Sequence, residues 1–312
     1  MDLKKLEYIL EIERAGNVSD AARRLEVTPS ALVQYLQRLE CELGTPLFHR
    51  AKGNWRPTQA GRIYMEYARQ MLSVRRDAYR IISDITANQN GHISIAFSSG
   101  RGVQQFAQIY PQFHSLYPGV RLQPMELCVR DQLELLRRRE LDVGLVCLEE
   151  ALYTDELQYF DVARENLSLI VPAGHPLCGR LRDPVDIREV EEEPFVVLSQ
   201  QFTLRPIVDR IFQRAGVTPR VLFESEHNLT IITMVQHGLC CGIVPEYYLY
   251  GGVPGIQAFH LDSLPAWHFF AACPQGIYLS EPIRKLIELY KETYRDRAEG
   301  RTRPDGRRKE LS

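Results

Sequence analysis

From Leu3 to Ala15 apolar residues recur at helical spacing, at Leu3, Leu6, Ile9, Leu10 and Ile12, and Gly16 ends the run. Ser19 then offers a hydroxyl cap for a second helix, Asp20–Leu25, in which Ala21 and Ala22 leave room for another helix to approach. Thr28 and Pro29 start a third: the hydroxyl accepts from an orphan amide, and proline takes the first helical position, where a missing N–H does no harm. On that helix Leu32, Tyr35, Leu36, Leu39 and Leu43 share the inward face, leaving Ser30, Val33, Gln34, Gln37 and Arg38 outside. After Gly44, "TPLFHRAKGNWRPTQAG" reads as a turn, an apolar anchor (Leu47, Phe48) and a loop carrying His49, Arg50, Lys52, Asn54 and Arg56. From Thr58 onward Tyr64, Tyr67, Met71, Val74, Ala78, Ile81 and Ile85 alternate by threes and fours, a heptad seam on one long helix. Such a stripe needs a partner, either its own domain or a second copy of the chain. The face opposite, with Arg62, Arg69, Arg75, Arg76 and Arg80, cannot bury.

Asn88 to Gly91 breaks the helix and serves as a hinge, after which the pattern changes. "HISIAFSS" alternates as a strand, Gly102–Leu116 is helical, Val120–Leu127 extended, Asp131–Arg139 helical and "LDVGLVC" a buried apolar run. A second series begins near "LSLIVPAGHPL". It continues through a strand at Pro194–Ser199, a helix at Leu204–Ala215, a strand at Val221–Ser225, a helix at Leu229–Gly238 and a strand at Cys240–Pro245. Ile256–Leu261 and Trp267–Cys273 read as strands and Pro282–Tyr294 as a closing helix. Strand and helix taking turns predicts a parallel sheet covered on both faces, in two lobes. The tail from Arg295 to Ser312 is charged and has no apolar period, which predicts disorder.

Composition narrows the function classes. The 312 residues are 45% hydrophobic and 25% charged, ordinary for a globular chain, and no apolar run approaches a bilayer span. The expectation is a soluble, cytoplasmic protein without an export signal or membrane partner. The net charge of −2 hides an uneven distribution. Residues 1–90 hold 14 basic and 11 acidic side chains, the remainder 24 and 29, and Arg50–Arg80 holds eight basic to two acidic. Seven scattered cysteines form no CxxC pair, and eight dispersed histidines no metal motif. No G-x-S-x-G elbow, H-E-x-x-H or Walker loop is present, so the expectation is no enzyme, no metal and no cofactor.

A short, polar face with a single charge suits base edges: glutamine pairs bidentately with adenine, arginine with guanine or phosphate. Ser30, Gln34, Gln37 and Arg38 are therefore the candidates for reading bases in a major groove, and Thr28, Arg50, Lys52, Arg56 and Arg62 those for phosphates. An ordinary helical hairpin with a solvated face has the same spacing.

Several elements taken together resemble the winged helix-turn-helix of LysR-type transcriptional regulators: Ala21–Ala22, Leu25, Thr28, Leu39–Glu40, Leu43–Gly44, Leu47–Phe48, Arg50 and Thr58–Gln59–Ala60–Gly61. Two positions depart from that family, which usually has glutamine at Pro29 and serine at Val33, so its contacts there do not carry over. The resemblance implies a winged helix-turn-helix over 1–58 (the motif itself at about 18–37), a dimerising linker helix over 59–90 and an effector domain over 91–294. That domain would be a two-lobed α/β fold of periplasmic-binding-protein type, one lobe at about 91–162 and 267–294, the other at about 163–266. The partners implied are promoter DNA, a small-molecule effector and a second copy of the chain.

Ligands of such sheets bind where strands end and helix amides converge. That places Ser98, Ser99 and Gly100 after the first strand, Cys128 after the second, Cys147 after the third, and Ser199, Phe202 and Thr203 in the other lobe, around a small carboxylate. The same residues also suit simple helix caps. Adjacent Cys240 and Cys241 raise thiol sensing as an alternative. Peroxide-sensing members of the family carry their cysteines where this chain runs Ser199–Asp209, which has none. A solute-binding protein without a regulatory role is the other alternative.

Overall fold

The computed structural model describes residues 4–51, 54–86, 91–261 and 267–299. Leu3, Lys52, the expected hinge at 88–90 and the tail beyond 299 lie outside the described residues. The chain divides into two compact units, Met1–Thr86 with Arg138–Glu140, and Ala87–Arg137 with Leu141–Ser312.

The first unit contains α1 (Lys4–Ala15), α2 (Val18–Arg24), α3 (Pro29–Leu43), the hairpin β1 (Phe48–Ala51) and β2 (Asn54–Pro57), and α4 (Gln59–Ile85). Gly16 stops α1 in the left-handed region at φ +68°. The cap of α2 is Asn17 rather than Ser19: its Oδ1 accepts from the Asp20 amide at 2.8 Å, which starts the helix two residues earlier than expected. Thr28 caps α3, accepting from the Ala31 amide at 3.2 Å, with Pro29 in its first turn. Ala21, Ala22, Leu32 and Leu36 are fully buried together with Ile9 and Ile12 of α1, forming the core under the three helices. Leu43 departs from the expected inward face and is 43% exposed, because the chain leaves the core at Gly44; Tyr35 is half-buried, edge-on to Tyr8.

α4 carries two apolar stripes where one was expected. Gly61, Met65, Ala68 and Leu72 are buried, Ala68 and Leu72 against Leu6 of α1. Gly61 allows the closest approach, since a Cβ there would sit 2.0 Å from the Leu47 carbonyl oxygen. The seam read from sequence splits between the two stripes. Tyr64 and Met71 pack partly on this inner core, while Tyr67, Val74, Ala78, Ile81 and Ile85 are exposed, joined by Ile63 and Ile82. The arginines are not all on a solvated face either. Arg69 pairs with Glu13 and Arg75 with Glu7 of α1, the latter at 2.8 Å, so these cations clamp α4 to α1.

Among its described residues the second unit holds three sheets, in two lobes. In the first lobe the order is β4-β3-β5-β12-β6, built from β3 (Gly91–Phe97), β4 (Val120–Glu126), β5 (Val143–Leu148), β6 (Leu157–Glu165) and β12 (Trp267–Pro274). Its helices are α5 (Arg101–Leu116), α6 (Val129–Arg137) and α9 (Glu281–Ala298). In the second lobe β7 (Leu167–Pro172) lies between β10 (Gly242–Pro245) and β11 (Ile256–His260), and β8 (Pro194–Leu198) pairs with β9 (Arg220–Ser225). A bridge from Phe195 to Cys241 links the β8–β9 pair to the three-stranded sheet of that lobe, whose helices are α7 (Leu204–Ala215) and α8 (Asn228–Gln236).

The expected all-parallel sheet is not what the chain forms: the five-stranded sheet is mixed, the three-stranded sheet antiparallel, and only the β8–β9 pair wholly parallel. β3, β4 and β5 are parallel, but β12 returns antiparallel between β5 and β6, and β7 is antiparallel to both neighbours. The cause is the chain path: it leaves the first sheet after β6 and must re-enter it through β12. β6 escaped the sequence reading because Asp161, Arg164 and Glu165 interrupt its alternation, and its pairing with β12 slips register between Phe269 and Phe270. α9 runs to Ala298, so the first residues of the expected disordered tail are helical. Among the described residues no helix is long and apolar enough to cross a membrane.

Candidate functional site

On α3, Ser30, Gln34, Gln37 and Arg38 are all exposed, and Val33 between them is half-buried. The α3 core residues Leu32, Leu36 and Leu39 hold this face rigidly outward. Thr28, exposed at the helix start, is occupied as the cap and lies 3.2 Å from Ser30 Oγ. The loop read as a wing is the β1–β2 hairpin, in which His49 stands opposite Arg56 and Arg50 opposite Trp55. His49 and Arg56 are exposed, as is Arg62 in the first turn of α4. Arg50 differs from expectation. Its guanidinium pairs with Glu40 of α3 and lies 5.3 Å from the Trp55 ring centroid, and Glu40 also accepts from the Leu47 amide at 2.8 Å. Arg50 is thereby a strut between wing and α3, its charge already matched within the fold.

The second unit holds a cleft of about 250 Å³. Ser98, Ser99 and Gly100 line it from the β3–α5 turn, Cys147 from the end of β5, and Phe202 and Thr203 from the approach to α7. Cys128 and Ser199 are not in its lining. The Cys128 carbonyl accepts from Gln132 at the start of α6, and the Ser199 amide donates to Ser225, so both serve local structure. The Thr203 hydroxyl donates to the Cys147 carbonyl at 3.2 Å and so joins the lobes across the cleft.

Residues outside the sequence reading dominate the chemistry. Arg101, 9% exposed, donates to Cys147 Sγ, and its guanidinium carbon lies 4.5 Å from the Phe269 ring centroid and 5.1 Å from that of Tyr247. Two aromatic faces hold this cation in the cleft wall. The Arg101 amide donates to Tyr248 Oη at 3.3 Å, and burial pushes that phenol above its ordinary range, with the Arg101 charge opposing. Gly100 sits at φ +81°, and a Cβ there would come 3.3 Å from the same Oη. Gln105, on the second turn of α5, is fully buried, and neither its Oε1 nor its Nε2 has a hydrogen-bond partner. Trp267 Nε1 and Asn228 Oδ1, also in the lining, lack partners too. The sequence signal for Arg101 was its place at the start of a helix after Ser-Ser-Gly; Trp267 and Phe269 come from a strand far along the chain and carried no local signal.

The paired cysteines are poor sensors. Cys240 and Cys241 are buried, and burial, followed by the nearby Glu193, pushes the Cys241 thiol up to about 12. Cys240 is raised by burial as well. Both are protonated at neutral pH, when the reactive species in peroxide sensing is the thiolate.

The description "Bacterial regulatory helix-turn-helix protein, lysR family" fits residues 3–62, and "LysR substrate binding domain" fits residues 86–295. The uncharacterized HTH-type transcriptional regulator YybE of Bacillus subtilis is 28% identical over 247 residues, 79% of this chain and 83% of its own. Among solved structures, a full-length OxyR variant from Pseudomonas aeruginosa shares the fold with a TM-score of 0.71 at 22% identity, covering 95% of both chains. CbnR complexed with its target DNA does so at 0.57 and 20%, covering 94% of this chain and 100% of that one. A helix-turn-helix with an outward polar face, and a two-lobed domain around a cleft, are thus the two halves of one known design: the chain belongs to the LysR family, transcriptional regulators that bind DNA and respond to an effector.

Proposed function

We propose that this regulator reads its operator through Ser30, Gln34, Gln37 and Arg38, steadies itself on phosphates through Thr28, Arg56 and Arg62, and answers to a small organic anion. Lys52 belongs to the same phosphate group by its place in the sequence. The observation that carries the anion is Arg101: a buried guanidinium at the start of α5, in the wall of a cleft otherwise lined largely by apolar and aromatic side chains. A helix start and a guanidinium both favour negative charge, and burial in low dielectric strengthens the attraction. Ser98 and Ser99 stand beside it as further donors.

The test has two arms on the full-length protein. Fluorescence anisotropy compares the chain's own upstream region with a scrambled duplex, for wild type and Gln34→Ala. Loss of about 1–3 kcal/mol at one base position is expected, with other sequences little affected. Equal weakening on every sequence would remove Gln34 from the reading face. Calorimetry with benzoate at neutral pH compares wild type with Arg101→Met, which keeps length without charge. The expected result is binding by wild type and at least tenfold loss in the variant; undiminished binding would refute an anion at Arg101.

A further inference from the structure

We infer that the effector is not a simple acid but a planar heteroaromatic acid with an amide-like edge, a ring N–H beside a ring C=O, met by Gln105. The inference rests on the cleft being the effector site, as proposed above. It follows from an inventory of unmet hydrogen-bonding groups. Leaving Arg101 aside, four atoms of the described cleft-lining residues are buried without a partner: two donors, Gln105 Nε2 and Trp267 Nε1, and two acceptors, Gln105 Oε1 and Asn228 Oδ1.

A carboxylate is acceptor-only, so it satisfies the donors and leaves both carbonyl oxygens unmet or repelled. An alkyl chain leaves all four unmet. A hydroxyl offers one donor and cannot present donor and acceptor side by side to a primary amide. A lactam or pyridone edge does: its N–H reaches Oε1 while its C=O accepts from Nε2. Trp267 Nε1 then takes a second ligand oxygen. Asn228 Oδ1 takes a second N–H or hydroxyl where the ligand carries one, and water otherwise.

Gln105 itself is 0% exposed and Trp267 5%, so neither meets bulk water, and a ligand that fills the cleft without bonding to them leaves them unmet. The shape of the site agrees. Phe97, Phe202, Trp267 and Phe269 are flat walls, and about 250 Å³ holds one ring or a fused pair with its substituents. Gln105 lies one helical turn beyond Arg101 on α5, which puts the amide partner and the anion partner on one face of one helix, fitting acid and amide edge borne by a single rigid ligand.

The experiment is calorimetry on the full-length protein with four probes: 6-hydroxynicotinate, which in water is a pyridone carboxylate, 4-hydroxybenzoate, benzoate and 2-pyridone. The expected result is that 6-hydroxynicotinate binds about 10- to 100-fold more tightly than either benzoate, with 2-pyridone weaker than 6-hydroxynicotinate for want of the acid. Gln105→Met, nearly isosteric and free of the orphan amide, brings 6-hydroxynicotinate and benzoate to within about twofold, with a melting temperature no lower than wild type. Equal affinity for the pyridone acid and the benzoates, or a preference that survives Gln105→Met, overturns the inference while leaving the anion site standing. Failure of every acid to bind overturns both readings.

Discussion

His260 illustrates how much a single contact depends on its surroundings. Its Nδ1 lies 2.7 Å from Asp183 and its Nε2 3.5 Å from Glu246, and the hydrogen bond to Asp183 raises the imidazole above its ordinary 6.5. The same bond lowers the Asp183 carboxyl below 3.8. A raised histidine contributes stability that is complete below 6.5 and fades as pH climbs through its folded value; a lowered aspartate contributes above 3.8 and fades as pH falls through its own. His260→Gln should therefore lower the melting temperature at about pH 5.5, and the difference should vanish near pH 9. The size will be small, since the ring is about two-thirds exposed and water screens the pair. A deficit that grows with pH would contradict the assignment. Neither partner was visible in sequence, because Asp183 and His260 lie 77 positions apart and nothing local marks either. Ser98 to Gly100 and Cys147 were legible for the opposite reason: they follow strands whose hydrophobic pattern is local. Gln105 looked like one more polar helix residue, and only its complete burial reveals the demand it makes on a ligand.

α4 shows what periodicity can and cannot decide about an element. Threes and fours identified the helix and one apolar seam, but a helix this long has room for two stripes, and the small residues Gly61 and Ala68 of the inner one add little to a hydrophobic count. The docked stripe turns toward α1, which leaves Val74 at 68% and Ile85 at 79% exposure. Isolated exposed apolar residues are ordinary; a row of them at coiled-coil spacing is a surface in search of cover. The occupant expected of a heptad row is a second α4. Val74→Asp with Ile81→Asp should accordingly weaken self-association at least tenfold, since two carboxylates enter the seam from each copy. Sedimentation velocity across a concentration series measures the dissociation constant, and circular dichroism should show the helix content intact, because neither residue packs on the inner core. Unchanged association would assign the dimer to another surface. Strand β6 stands at the other extreme: its charged residues and slipped register hide it from any period, and only the need to close the first sheet accounts for it.

For the molecule as a whole, the net charge of −2 says little about DNA, and even the basic stretch overstates the case. Of the described basic residues in Arg50–Arg80, at least four are matched by carboxylates within the fold: Arg50 by Glu40, Arg69 by Glu13, Arg75 by Glu7 and Arg80 by Asp77. Counterion release counts only charges that meet phosphates, so the salt dependence of binding separates cations that face DNA from those that hold the protein together. Arg56 is exposed on the wing and should take part; its replacement by alanine should flatten the plot of log affinity against log salt by about one unit. Arg50→Ala should leave that slope near the wild-type value and instead lower the melting temperature, because Glu40 stays on α3 with its cation removed and Trp55 loses the guanidinium beside it. Anisotropy on one duplex at four or five salt concentrations, with a melting curve for each variant, distinguishes the two roles. An Arg50→Ala slope reduced as far as that of Arg56→Ala would mean that Arg50 exchanges Glu40 for a phosphate on binding, and that the ion pair is a resting position and not a strut.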